Sequence, residues 1–261
     1  MTKSDQIRFF SERLPATFVA VLFLVLSGPA AVTAGDVLAV GNFSNTAVTA
    51  EGLPEGWQPL TFRKIKDHTD YDIVQDSGLS VIRADSNASA SGLIRKIRID
   101  PMIYPLIQWR WKISNVYENG DVTRKGGDDY PARIYIAFEY DPGQAGILEK
   151  AQFEGARLIY GEYPPGSAVN YIWESRAPLD TRVPNPFTDR VMMIVVESGP
   201  DRTDTWITAE RNIYQDYLDC FGRQPPLITG VAIMTDSDNT GEAATAYYGD
   251  IIFKSGPTAN P

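Results

Sequence analysis

The segment Gly126-Gly127-Asp128-Asp129-Tyr130-Pro131-Ala132-Arg133 is the densest polar cluster of the 261-residue chain. Two glycines allow a tight turn, two adjacent carboxylates project to opposite sides of an extended backbone, and Arg133 stands where a strand would begin. Asp129 could pair with Arg133 and so hold the loop. Alternatively, Asp128 or Asp129 could accept a sugar hydroxyl, bind a metal or take a proton. A second cluster, Asp236-Ser237-Asp238-Asn239-Thr240-Gly241-Glu242, alternates hard oxygen donors ahead of a glycine. That spacing belongs to the first half of a calcium loop. The bidentate glutamate of an EF-hand is missing, since the twelfth position is Tyr247. The expectation is therefore calcium in a non-EF site built from Asp236, Asp238 and Asn239, completed by Asp250 or Glu242 if the fold brings them near. A solvated Asp/Asn turn is the alternative reading.

These groups need rigid elements to position them, and strand-like alternation supplies them. In Ile107-Gln108-Trp109-Arg110-Trp111-Lys112-Ile113 the odd positions are apolar and the even ones polar, the period of a half-buried strand. Arg133 to Tyr140 alternates in the same way, with Arg133, Tyr135, Ala137 and Glu139 on one face. Further strands are expected at Leu79–Arg83, Leu93–Ile99, Val169–Trp173, Val191–Glu197, Thr205–Thr208, Ile228–Met234 and Tyr247–Phe253, punctuated by Gly, Pro, Asn and Asp turns. Residues 210–221 read as one short helix, with Ile213, Tyr214, Tyr217, Leu218 and Phe221 on a stripe and Gly222 as the stop. Many strands and one helix predict an all-β fold, an antiparallel β-sandwich of jelly-roll type. Trp109 and Trp111 are expected in its core. The wet faces of the two alternating strands would form one polar groove if those strands adjoin. That groove would hold Arg110, Arg133, Tyr135 and Glu139, with Trp57, beside Gly56 and Pro59, as an exposed aromatic platform.

Absent residues exclude several chemistries. His68 is the only histidine, so a zinc site with two or three imidazoles cannot be built. No Gly-x-Ser-x-Gly elbow, Walker loop or dinucleotide fingerprint occurs. Cys220, the single cysteine, has no disulfide partner within the chain and reads as a buried, inert thiol. A two-carboxylate glycosidase stays open, with Asp128, Asp129, Glu139, Glu174 and Glu197 as candidates.

The first residues look like an address. Lys3, Arg8 and Arg13 precede an apolar run at residues 16–26, then a Ser27-Gly28-Pro29 break and the small residues Val32-Thr33-Ala34. The expectation is a signal peptide over residues 1–34 cleaved near Ala34, then a single β-sandwich domain over 35–261 that is periplasmic or secreted. The apolar run is too short to span a bilayer, and no later segment is long and apolar enough. The net charge is −9, which disfavours nucleic acid and anionic lipid as partners.

Six blocks carry a resemblance: Leu53-Pro54-Glu55-Gly56-Trp57, Trp109-Arg110-Trp111-Lys112, Gly127 to Arg133, Asn170-Tyr171-Ile172-Trp173, Thr235 to Gly241, and Tyr248-Gly249-Asp250-Ile251. In this order they resemble the family of exported bacterial proteins catalogued as domain of unknown function 3047. The resemblance implies secretion and a single domain, and supplies no catalytic residue. More loosely, the early Gly-Trp and the terminal Tyr-x-Asp-Ile strand are similar to jelly-roll carbohydrate-binding modules. The functional expectation is a non-catalytic module that binds a glycan or similar ligand through Trp57, Arg110, Asp128, Asp129, Arg133, Tyr135 and Glu139. Two alternatives stand beside it. One is a polysaccharide hydrolase or lyase using Asp128 or Asp129 with Arg133, and the other is an envelope structural or assembly protein that contacts other proteins.

Overall fold

The computed structural model describes residues 35–50, 52–143, 146, 150, 153–154 and 164–256. The expected signal segment, 1–34, lies outside them. Among the described residues no helix is long and apolar enough to cross a membrane.

The alternating segments form strands that stack as two sheets. The first runs in the order β11 (Ile207–Asn212), β6 (Leu106–Ile113), β13 (Ala243–Lys254), β4 (Leu79–Asn87), β3 (Asp70–Asp76), and β1 (Val37–Gly41) also pairs with β13. The second runs β2 (Gln58–Leu60), β5 (Ala90–Ile99), β12 (Ile228–Asp236), β7 (Ala132–Phe138), β8 (Ser167–Glu174), β10 (Thr188–Ser198), β9 (Arg182–Asn185). This is the expected β-sandwich, with one departure from antiparallel order: β10 lies parallel to β8, with Val191 opposite Ala168 and Ile194 opposite Tyr171. The chain leaves β8, crosses to β9 at the sheet edge and turns back, so β10 slots between β8 and β9. The crossover that parallel strands require is thus residues 175–187.

The alternation decides which side chains meet between the sheets. Ile107, Trp109, Trp111 and Ile113 point inward from β6, and Ile134, Ile136, Tyr171 and Trp173 meet them from β7 and β8. Trp109 stacks on Tyr171 at 5.1 Å between ring centroids, and Trp111 tilts against Trp173 at 6.0 Å. Burying each such ring contributes roughly 1.5–3 kcal/mol. All of β8 is buried on both faces. Its outer side is covered by the segment before β7, whose Val122 and Tyr130 pack on Ile172, Met193 and Val195. Glu174, fully buried, pins that cover by accepting from the Val122 amide at 3.2 Å and from the Arg176 and Ala177 amides.

The helix α1 spans Ile213–Phe221. Residues 210–212, expected within it, continue β11 instead, because they are still paired to β6. The Asn212 side chain then accepts from the Gln215 amide at 2.9 Å and starts the helix, and Gly222 ends it at φ 67°.

Candidate functional site

β7 carries Arg133, Tyr135 and Ala137 on the face turned away from the sandwich core, where they floor a cavity of about 350 Å³. The flanking strands leave room for it. Gly230 and Ala232 of β12 and Ala168 of β8 present small side chains there, and Leu60, Phe62 and Ile94 wall one flank. Asp128, Asn185 and Arg133 contribute the polar groups. Leu60, Ile94, Ala137, Pro165 and Gly230 are shared with a second, more open hollow of about 1120 Å³ that reaches Lys96 and Glu139. The two form a groove along β7. Its strand length is about 20 Å at 3.3–3.4 Å per residue.

Asp128 is held from two sides. Asn185 Nδ2 donates to both its oxygens, at 3.0 and 2.8 Å, and the Tyr130 hydroxyl donates at 3.0 Å. Burial and then the Asp128 charge push the Tyr130 phenol well up, so it stays a donor at neutral pH. Burial also raises the Tyr135 phenol. Arg133 is buried, and its Nη2 donates to Asp236 Oδ2 in an ion pair. Burial opposes its charge, but the Asp128 and Asp129 carboxylates help to outweigh that and hold the guanidinium charged. Arg133 Nε has no hydrogen-bond partner although it is buried, an uncompensated donor.

Asp129 turns the other way, as alternation requires, and does not pair with Arg133. Its carboxylate accepts from the Asn239 amide (3.0 Å to Oδ2), from Asn239 Nδ2 (2.9 Å) and from the Thr240 amide (2.6 Å). The two acidic loops, distant in sequence, therefore meet. Carboxylate oxygens of Asp129, Asp236 and Asp238 lie within 4.8 Å of one another.

Several expected positions lie elsewhere. β6 and β7 do not adjoin: they belong to opposite sheets. Arg110 sits on the outer face of the first sheet, its guanidinium 4.5 Å from the Trp206 ring centroid, and cannot share a groove with Arg133. Trp57 is 5% exposed and packs on Phe43 at 5.1 Å, so the ring is core and not a platform. Glu139 reaches only the open end of the groove, where Arg98 holds it through two bonds of 2.9 and 3.1 Å. Asp250 is remote from the acidic loops, accepting instead from the Ser44 amide and hydroxyl at 2.9 and 2.6 Å. Glu242 caps the amides of Glu118 and Asn119. Asn239 stays with Asp236 and Asp238, but its amide nitrogen is spent on Asp129. Asn185, Leu60 and Phe62 went unread in the sequence, and only the Pro184-Asn185-Pro186 turn hinted that a polar side chain is fixed there.

The family described as "protein of unknown function (DUF3047)" matches residues 55–252. The chain belongs to this family. No curated protein sequence matches this DUF3047 chain. Among solved structures it is similar to a family 30 carbohydrate-binding module of a Clostridium thermocellum cellulosomal cellulase, at 11% identity and TM-score 0.38 over 85% of this chain and 99% of that one. It is also similar to the Emp47p carbohydrate recognition domain, at 12% identity and TM-score 0.42 over 84% and 95%. A family 12 xyloglucanase from Bacillus licheniformis compares at 9% identity and TM-score 0.37 over 86% and 98%. At these identities and scores the likeness is one of layered β architecture alone. The DUF3047 match spans the Asp128–Arg133 segment, Asn185 and both acidic loops.

Proposed function

We propose that this domain is an exported, non-catalytic module that binds a glycan or similar polyhydroxylated chain in the groove along β7. The observation that carries the reading is the cavity between Tyr135, Asn185 and Arg133, continuous with the open hollow toward Glu139. A mostly apolar pocket with a few fixed polar groups suits a sugar, whose C–H faces pack on rings and whose hydroxyls seek planar partners. Tyr135 on the floor and Phe62 on the wall, 38% exposed, offer such rings.

Binding is favoured over hydrolysis by carboxylate placement. A glycosidase needs two carboxyl groups within about 5–10 Å across the cleft. Among the described residues, the carboxylates lining the groove are Asp128 at one end and Glu139 with Asp141 at the other, with the length of β7 between the ends. Asp128 and Glu139 are engaged by Asn185 with Tyr130 and by Arg98. Glu174 and Glu197 are committed to the backbone of the covering segment and to Arg202. Export is supported by the basic and apolar pattern of residues 1–34.

Native electrophoresis through gels that each embed one polysaccharide tests the proposal. Retardation in at least one gel without loss of polymer is the expected result. Unretarded migration of folded protein across a broad panel overturns it, and a cleared zone replaces binding with catalysis.

A further inference from the structure

The two outer faces of the sandwich differ in kind. The first sheet turns Arg83, Asp85, Arg110, Lys112, Glu210 and Lys254 outward, the polar face that a solvated sheet carries. The second sheet breaks this rule in its middle. Leu60 of β2, Ile94 of β5 and Ala232 and Met234 of β12 lie on its outer face and line the cavity. Ile94 is opposite Ala232 in the β5–β12 ladder, and Leu60 and Met234 flank Gly92, so these side chains form one continuous apolar wall.

Hydrogen-bonding groups keep to the other flank. Asn185 belongs to β9, across β7 from β5 and β12, and its side chain holds Asp128 there. A ligand that fills the cavity therefore meets polar groups on one side and hydrocarbon on the other. An unsubstituted sugar carries hydroxyls around its whole rim, and those turned to Leu60, Ile94 and Met234 would lose water and gain no partner. A sugar with an acyl group on that side presents hydrocarbon where the wall is. At about 350 Å³ the cavity is at the small end of ligand sites, with room for one ring and a short acyl group.

We propose that the groove selects acylated glycans, its cavity seating a sugar unit whose ester- or amide-linked acyl group packs on Leu60, Ile94, Ala232 and Met234. The proposal rests on the reading of the groove as a glycan site and narrows it to one ligand class. The ring's free hydroxyls face Asp128 and Asn185, and the rest of the chain leaves through the hollow lined by Lys96 and Glu139. Removing the acyl group puts a hydroxyl or an amine against hydrocarbon, which forfeits a hydrogen bond to water as well as the apolar contact.

The test has two arms. In affinity gels, each polysaccharide of the panel is embedded once saponified and once partially acetylated. In calorimetry, glucose and the N-acetyl, N-propionyl and N-butyryl derivatives of glucosamine are titrated into the protein. Stronger retention by the acetylated form is expected, as is an affinity that rises by about fourfold per added methylene until the cavity is full. Ala232→Leu, which fills the cavity from an outer face, should abolish the rise. Ile94→Thr, β-branched and half-buried like the residue it replaces, should reduce it. Equal retention by the two forms overturns the proposal and leaves glycan binding standing, whereas retention by neither overturns both. An affinity no higher for any acyl derivative than for glucose also overturns it, as does a rise that Ala232→Leu leaves intact.

Discussion

Arg211 of β11 grips Asp216 of α1 through two bonds, Nε to Oδ2 at 2.9 Å and Nη2 to Oδ1 at 2.7 Å. Arg182 of β9 adds a third bond at 3.0 Å and the Tyr171 hydroxyl of β8 a fourth at 2.9 Å. Asp216 thus ties the edge of one sheet, the far edge of the other and the helix to one buried carboxylate. Asp216→Ala leaves two arginines facing a void, and breaking a buried pair from one side costs about 3–5 kcal/mol. The expected outcome is a lower urea midpoint with an unchanged slope, the shift multiplied by the slope giving that loss.

The same carboxylate makes stability depend on acid. Burial alone would raise Asp216, but its hydrogen bonds from Arg211 and that charge, helped by Tyr171 and Arg182, leave it below the ordinary aspartate value. A depressed folded-state value contributes stability that is complete above the unfolded value, about 3.9, and is lost as pH falls through the folded one. Unfolding free energy measured from pH 6 down to pH 2 should decline most steeply below about pH 4. Asp216→Asn should flatten that limb.

Groove residues and the opposite face should separate cleanly in binding. Tyr135→Ala and Asn185→Ala should each weaken polysaccharide retention about tenfold or more, a loss of about 1.4 kcal/mol. Tyr247→Ala on the first sheet, whose ring lies near Trp206, should leave it unchanged. Affinity electrophoresis at graded polymer concentration reads all three, and equal losses in all would remove the groove from the account.

Two glycines distinguish backbone crowding from side-chain crowding. A Cβ at Gly92 of β5 would meet the Ile233 carbonyl oxygen at 2.7 Å, whereas at Gly249 of β13 it would meet the Arg110 side chain. The carbonyl is locked in the β5–β12 ladder, while Arg110, met along its Cγ, Cδ and Nε, can yield by changing rotamer. Gly92→Ala is expected to cost about 1–3 kcal/mol and Gly249→Ala distinctly less, as parallel thermal melts would show.

The layered fold was legible because a strand's period of two is local: Ile107 to Ile113 and Arg133 to Phe138 each assigned their own inner and outer faces correctly, whereas Tyr140 lies past the end of β7 and outside the core. Which strands become neighbours is not local. Arg110 and Arg133 looked like partners, yet β6 pairs with β11 and β13 while β7 pairs with β12 and β8. Trp57 looked exposed beside Gly56 and Pro59, but Phe43, fourteen residues earlier, covers it. Asp128 and Asp129 were visible as a pair whose side chains diverge. Their partners, Asn185 and Asn239, sit 57 and 110 residues away, and no spacing rule reaches that far. The parallel β8–β10 pair was hidden because the crossover of residues 175–187 contains an edge strand and no helix.

The placement of β13 has a consequence for how the chain comes together in time. This strand, residues 243–254, lies at the centre of the first sheet, with β6 along one side and β4 and β1 sharing the other; Leu38 is registered opposite Phe253. Without β13, β1, β4 and β6 have no common neighbour, and the core they enclose stays open. Pairing across more than two hundred residues is a slow, high-contact-order closure. Closure of the first sheet therefore waits on β13, the one strand that joins β1, β4 and β6.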